Sequence, residues 1–236
     1  MGSAPPHLLT ALIAGGTGLT GRALLAELGT RAEFQELVSI ERGPLRAARA
    51  TPPSSAKKAA APPRVTRLSV DFAAMPALPH ADVAFCCLGT TMKRAGSSAE
   101  FRRVDYDYVV GFARAAQVAG VQHLSVISAL GASTRSRAFY NRVKGEMEDA
   151  LAAMDFASLC IVRPSLLTGS RHELRLAERL GIAVGAVVTP FLRGEWRKYR
   201  PIPAATVAHA MIKTALRREP GIEVLESDEI VLRASA

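Results

Sequence analysis

Cysteine is scarce in this chain: 236 residues contain three, and two of those, Cys86 and Cys87, are neighbours. With Cys160 far away, the set supplies neither a disulfide framework nor the ligand spacing of a tetrahedral zinc site, which points to a reducing compartment. A long apolar run is also lacking. The longest, Gly181 to Leu192, falls short of the ~20 residues a membrane-spanning helix requires and is broken by Pro190. The opening residues Met1-Gly2-Ser3-Ala4-Pro5-Pro6 have neither the basic start nor the apolar centre of a secretory leader, so the expected location is cytoplasmic. The histidines His7, His80, His123, His172 and His209 have no partners at ligand spacing, and no metal site is expected. No internal repeat is present.

What the chain does have is charge of one sign, 30 Lys and Arg against 21 Asp and Glu, a formal +9. Its distribution argues against nucleic acid as a partner. The basic residues are scattered, with one local cluster at Arg193, Arg197, Lys198 and Arg200 around Trp196, and no repeated basic-aromatic module. A hydrophobic share of 49% and a charged share of 22% describe a globular protein, and the length suits one α/β domain rather than two.

Along the chain, strand and helix patterns alternate. His7 to Ala14 reads as a buried first strand, and Leu19, Leu24, Leu25 and Leu28 follow at near-helical spacing up to a stop at Gly29. Leu37 to Ile40 is the second strand. The stretch Gly43 to Arg64, rich in Pro, Ala and Ser, breaks all periodicity and reads as a long surface loop. Val65 to Phe72 and Val83 to Leu88 are the next strands, the latter apolar throughout, as a strand covered on both faces must be. Ser97 and Glu100 offer a capping box for a helix with Phe101, Val104, Tyr108 and Phe112 on one face. Then come the strand His123 to Ile127, a helix striped by Phe139, Val143, Met147 and Leu151, and the strand Ser158 to Val162. Beyond Pro164 the pattern loosens into a helical piece at Glu173 to Leu180, a helix at Ala205 to Leu216 and a strand near Glu223 to Leu225. The expectation is a single α/β domain over residues 1–236: a Rossmann-type, doubly wound parallel sheet with helices on both faces, and a small C-terminal substrate lobe from about residue 165.

Gly15-Gly16-Thr17-Gly18-Leu19-Thr20-Gly21 lies directly between the first strand and first helix. A pyrophosphate approaches bare backbone at such a turn, where the helix N-terminus offers unpaired N–H groups. Gly15 and Gly18 allow the turn and the approach, and Gly21 the close helix packing. The second strand ends in Glu41-Arg42, and the two residues disagree. A carboxylate suits the free 2′-hydroxyl of NAD, whereas arginine suits the 2′-phosphate of NADP; the reading favours NADP(H) over NAD(H). Asp71-Phe72, ending the third strand, is a candidate for holding the adenine, with Asp71 equally at home as a turn residue.

Tyr140 and Lys144 stand four apart on one helix and meet on one face. A free tyrosine titrates near ~10 and is a poor acid-base catalyst at neutral pH. A lysine charge ~4 Å away at an effective dielectric of ~20 is worth ~4 kcal/mol, enough to bring the phenol towards its working range. Ser128, at the end of a strand, is placed to donate a hydrogen bond to a substrate carbonyl.

These motifs, with Cys86-Cys87-Leu88-Gly89-Thr90-Thr91, Val104-Asp105, Tyr140-Asn141-Arg142-Val143-Lys144-Gly145-Glu146 and Arg163-Pro164, together resemble the atypical short-chain dehydrogenases, nearest to their Tat-interacting-protein-like oxidoreductase branch, from about residue 8 to about 230. The resemblance implies a Rossmann fold binding NADPH. It implies Tyr140 as proton donor, Lys144 holding the nicotinamide ribose and lowering the Tyr140 pKa, and Ser128 polarising the substrate. Leu88, Gly89 and Thr90 would line the cofactor, and Arg163-Pro164 would approach the nicotinamide. The chain departs from the branch at Glu41-Arg42-Gly43, where a small residue and two arginines are usual, and in the loop Gly43 to Arg64. The expected function is an NAD(P)H-dependent oxidoreductase of a small carbonyl or alcohol. The rival is a cofactor-sensing regulatory protein without turnover, for which the Ser128, Tyr140 and Lys144 set would be superfluous. The expected partner is a small molecule, with no membrane; self-association is left open.

Overall fold

Alternate side chains of β1 (Leu9–Ala14) enter two separate apolar clusters, Leu12 and Ala14 one and Ala11 and Ile13 the other. A strand buried on both faces needs a covering layer on each side, and the rest of the fold supplies them. This computed structural model describes residues 7–43, 46–51, 62–169 and 198–235. The expected helix at Glu173 to Leu180 and most of the cluster around Trp196 lie outside the described residues.

After β1 come α1 (Leu19–Leu28), β2 (Phe34–Arg42), β3 (Arg46–Thr51), β4 (Arg64–Val70) and β5 (Val83–Cys86). The helical segments α2 (Met92–Ala95) and α3 (Ser98–Arg102) lead through a π-helical turn, Arg103–Asp107, into α4 (Tyr108–Val118). Then follow β6 (His123–Ile127), α5 (Phe139–Ala152), β7 (Ser158–Arg163), the short pair β8 (Leu167–Thr168) and β9 (Ile202–Pro203), α6 (Ala204–Arg217), β10 (Gly221–Glu226) and α7 (Ser227–Ser235).

Among the described residues the main sheet has the order β10-β7-β6-β5-β1-β2-β4-β3. Every pairing in it is parallel except that of β3 with β4. One cluster joins Tyr108, Phe112 and Ala116 of α4 and Met147 and Leu151 of α5 to one face of the sheet. The other joins Leu24 and Leu28 of α1 and Val207, Met211 and Ile212 of α6 to the opposite face. This is the doubly wound Rossmann arrangement. Winding reverses at β1, which lies between β2 and β5, so a crevice opens beyond the carboxyl ends of these strands.

Three features depart from the sequence reading, and the packing of the tail adds to it. The stretch Gly43 to Arg64 is not loop throughout: Arg46–Thr51 forms β3, antiparallel to β4. Arg-Ala-Ala-Arg-Ala-Thr has little strand propensity, but the open edge of β4 offers a row of backbone groups to pair, and pairing outweighs propensity. Residues 44–45 and 52–61 of that stretch lie outside the described set. The capping box is half formed: Ser97 Oγ accepts the Glu100 N–H at 3.1 Å, while the Glu100 carboxylate turns to Arg103. On the helix beyond it, Asp105 is buried where the apolar stripe pointed to Val104, which is only half-buried. Finally, the tail returns to the sheet. Each fully buried side chain such as Val207, Met211 or Ile212 is worth about 1.5–3 kcal/mol, and several together tie α6 to the main body.

Candidate functional site

The turn after β1 is shaped by contacts that exclude side chains. Gly15 has φ +81°, and a Cβ on it would lie 2.5 Å from the carbonyl of Cys87. Gly18 caps α1 from an extended conformation without a side-chain capping bond, and no acidic residue occupies the first turn. The positive end of the helix therefore faces the crevice with no acidic side chain in its own first turn, which suits a bound diphosphate. Gly15, Thr17 and Gly18 line one end of the crevice, and Leu19 and Thr20 extend it towards the other. Thr20 Oγ1, buried at 4% exposure, has no hydrogen-bond partner among the described residues.

At the far end of β2, Glu41 and Arg42 line the same crevice with Phe72. Glu41 is drawn to Arg67 of β4, Oε1 to Nη1 3.4 Å, in a half-exposed pair worth at most about 1 kcal/mol. That pair orients the carboxylate more than it neutralises it. The Arg42 guanidinium lies 5.4 Å from the centre of the Tyr108 ring, which in turn packs on Phe72 at 5.7 Å. Asp71 behaves as a turn residue: its Oδ1 accepts the Ala73 N–H at 2.9 Å, so of the pair expected at the adenine it is Phe72 that faces the crevice.

Towards the carboxyl ends of β5, β6 and β7 the crevice is lined by Leu88, Gly89, Thr90, Ser128, Tyr140 and Pro164. The structure thus brings together residues from four segments. Ser128 N–H continues the sheet by donating to Val162 O at 2.8 Å, and its Oγ, in a residue 4% exposed, has no partner among the described residues. A buried hydroxyl without a partner costs about 1–3 kcal/mol, a cost that a ligand acceptor would remove. Helix α5 is held in place through Gly145, where a Cβ would lie 2.3 Å from the Ser133 backbone. The loop after Ser128 thereby presses on the helix that carries Tyr140. Tyr140 is half-buried, its ring 5.2 Å from that of Phe101.

The implication for Arg163 needs correction, and the one for Lys144 gains a further charge. Arg163 does not approach the nicotinamide end; its Nε donates to Glu148 Oε1 at 3.0 Å on α5, and only Pro164 reaches the crevice. Strand alternation explains this, since neighbouring residues point to opposite faces. Nor does Lys144 act alone on Tyr140. Its ammonium, 3% exposed, forms a 2.8 Å ion pair with Asp105, 1% exposed, and reaches Ile127 O at 3.4 Å. Burial raises the Tyr140 pKa above its ordinary value; Lys144 opposes the rise and Asp105 adds to it. Lys144 is itself held charged, because the Asp105 carboxylate beside it overcomes the cost of burial.

Sequence reasoning assigned no role to Asp105 or Arg94. Asp105 Oδ2 accepts the Thr90 N–H at 2.8 Å, binding the crevice floor to Lys144. Arg94 of α2 lines both halves of the crevice, as Gly18 does. A lone acidic residue in an apolar stripe was the available signal for the first; nothing marked the second. Among the described residues no group of three or more acidic, histidine or cysteine side chains could hold a metal, and no helix is long and apolar enough to cross a membrane.

The model of the NAD(P)H-binding family matches residues 15–217. The chain is 33% identical over 224 residues to Protein HTATIP2 of Rattus norvegicus, covering 93% of this chain and 86% of that protein. It is 30% identical over 229 residues to the mitochondrial Protein FMP52 of Eremothecium gossypii, covering 94% and 96%. Two solved structures share the fold alone. Human epimerase family protein SDR39U1 with NADPH has a TM-score of 0.61 at 16% identity, covering 92% of this chain and 74% of that one. A putative NAD-dependent epimerase/dehydratase from Bacillus halodurans has 0.62 at 14%, covering 96% and 99%.

Proposed function

We propose, from the premise that this chain belongs to the NAD(P)H-binding family in its atypical short-chain dehydrogenase branch, that it is an NADP(H)-dependent oxidoreductase of a small carbonyl or alcohol. The observation that carries this reading is Ser128 Oγ, without a partner among the described residues, in the same cleft as Tyr140 and Lys144. A pure cofactor sensor has no use for a buried hydroxyl donor beside a phenol.

The residues fit a dinucleotide. The glycine turn and the open end of α1 would hold the diphosphate, Arg42 and Phe72 the adenosine end, and Lys144 with Thr90 the nicotinamide ribose. The preference for NADP(H) is supported by Glu41 being drawn to Arg67 while Arg42 lies against Tyr108 at the crevice wall. When bound, the reduced cofactor supplies a hydride, two electrons with one proton, to the carbonyl carbon. Ser128 Oγ donates a hydrogen bond to the carbonyl oxygen, and Tyr140 Oη gives that oxygen its proton, so that the carbonyl leaves as an alcohol. Electrostatic help of this kind, aimed at an oxygen that gains charge, is strongest in a site shielded from water.

The substrate side is assigned to the adjoining cleft, where Leu130, Gly131, Asn141, Ser165 and Leu166 meet Tyr199. Ser165 and Leu166 line both clefts, and they fall where the substrate lobe is expected to begin. The location is proposed as a reducing compartment, with the mitochondrion and the cytoplasm separable by fractionation. The test of the function is NADPH oxidation with a panel of small aldehydes and ketones, parent against Tyr140→Phe. Turnover by the parent and its loss in the variant is expected; equal turnover by both sinks the assignment.

A further inference from the structure

Six residues line both the half of the crevice that holds Arg42 and Phe72 and the half that holds Ser128 and Tyr140: Gly18, Cys87, Leu88, Gly89, Thr90 and Arg94. They mark the join between the halves, and a dinucleotide that spans both carries its diphosphate there. Gly18 brings the bare N-terminus of α1 to this join. Arg94 is the one cation among the six. The carboxylates that line either half are already matched: Glu41 has Arg67, Glu100 has Arg103 and Asp105 has Lys144. Arg42, at the outer end, rests on Tyr108. Arg94 is exposed and has no ion-pair partner among the described residues. Its backbone, by contrast, is fixed. Thr91 Oγ1 accepts the Arg94 N–H at 3.2 Å where α2 begins, and Met92 O accepts the Gly96 N–H at 3.0 Å where it ends, with Gly96 at φ +76°. A single turn capped at both ends thus presents an uncommitted guanidinium at the join.

We propose that Arg94 is the side-chain ligand of the cofactor's diphosphate, pairing with it from α2 while the N-terminus of α1 holds it through backbone N–H groups. This rests on the cofactor assignment made under the proposed function. A helix end supplies only about half a positive charge, which leaves most of a diphosphate's charge unmatched. A guanidinium supplies a full charge that stays on at every working pH, and its planar fork engages two phosphate oxygens at once. The diphosphate is common to NADP and NAD, so Arg94 sets the affinity for both and the preference between them not at all. Arg42 has the opposite signature.

The experiment is a calorimetric titration of the free protein with NADPH, NADH and ADP-ribose, the last of which has the diphosphate but neither nicotinamide nor 2′-phosphate. Arg94→Ala weakens all three by a common factor of about tenfold. Arg94→Lys, which keeps the charge but loses the fork, recovers part of the loss. Lys93→Ala is the control, since Lys93 is exposed on the same turn and lines neither half of the crevice. It leaves all three affinities unchanged. An unmoved ADP-ribose affinity in Arg94→Ala overturns the proposal. So does a loss confined to NADPH, which would move Arg94 to the 2′-phosphate, and so does an equal loss in Lys93→Ala, which would make the effect one of overall charge. A parent that binds none of the three ligands overturns it together with the cofactor assignment. No titration needs turnover, so a blank carbonyl panel would count against the oxidoreductase reading alone.

Discussion

Gly21 lies so close to Gly15 that a Cβ on it would fall 2.1 Å from the Gly15 carbonyl oxygen. The first turn of α1 is thus packed directly on the strand-to-helix turn, and that contact fixes the backbone a diphosphate would meet. Gly21→Ala must push the two apart. Overpacking of this kind costs about 1–3 kcal/mol. A lower melting temperature and a fall of tenfold or more in NADPH affinity, about 1.4 kcal/mol, are expected. Unchanged affinity measured by calorimetry would contradict the assigned binding mode.

In the proposed site, Arg42 is the residue on which cofactor choice would turn. A hydrogen bond to a charged group is worth about 1.5–3 kcal/mol, so Arg42→Ala should weaken NADPH by roughly ten- to a hundred-fold. NADH, lacking the 2′-phosphate, should change by less than about threefold. Equal losses for both cofactors, read by fluorescence titration, would remove the stated preference.

Tyr140→Phe should lower kcat for carbonyl reduction by about 10²–10⁴ while leaving NADPH affinity intact, the range expected for loss of a general acid. Ser128→Ala should reduce kcat less, since it removes a hydrogen bond but not the proton. If Ser128→Ala proves the more damaging of the two in steady-state assays, the roles given to them are wrong.

His123 gives a stability prediction independent of catalysis. It is fully buried, with its ring nitrogens 2.8 Å from the hydroxyls of Ser125 and Ser158, and burial pulls its pKa down to about 4. The unfolded chain takes up this proton near pH ~6.5, the folded chain only near 4. Stability should therefore fall as pH drops from ~6.5 towards 4, by up to about 3 kcal/mol from this group. In His123→Gln the same denaturation series should be flatter over that interval. An equal slope would show that other groups govern the acid side.

The parallel strands and the glycine turn were readable because each is a local pattern with a physical cause: continuous apolar runs need cover on two faces, and a backbone approach needs glycine. Tyr140 and Lys144 were readable as a pair because their separation of four is dictated by the helix itself. Strand β3 was not. Arg46–Thr51 carries no strand signal of its own and exists because β4 offers an unpaired edge.

Charge was the least legible property. The sequence placed Lys144 beside Tyr140 and from that pair alone argued for an acidified phenol. Tertiary structure brings Asp105 from 39 positions away in the chain to within 2.8 Å of the ammonium, and burial does the rest. The same holds for Arg163, next to Pro164 in sequence yet turned to Glu148 across α5.

By itself, then, the sequence determined the alternation of parallel strands and helices, the bare backbone at the head of α1 and the spacing of Tyr140 and Lys144, since all of these follow from short-range periodicity and sterics. Only the folded chain decided which charges meet, because a Coulomb interaction depends on distance and local dielectric, and both are set by packing between segments remote in sequence.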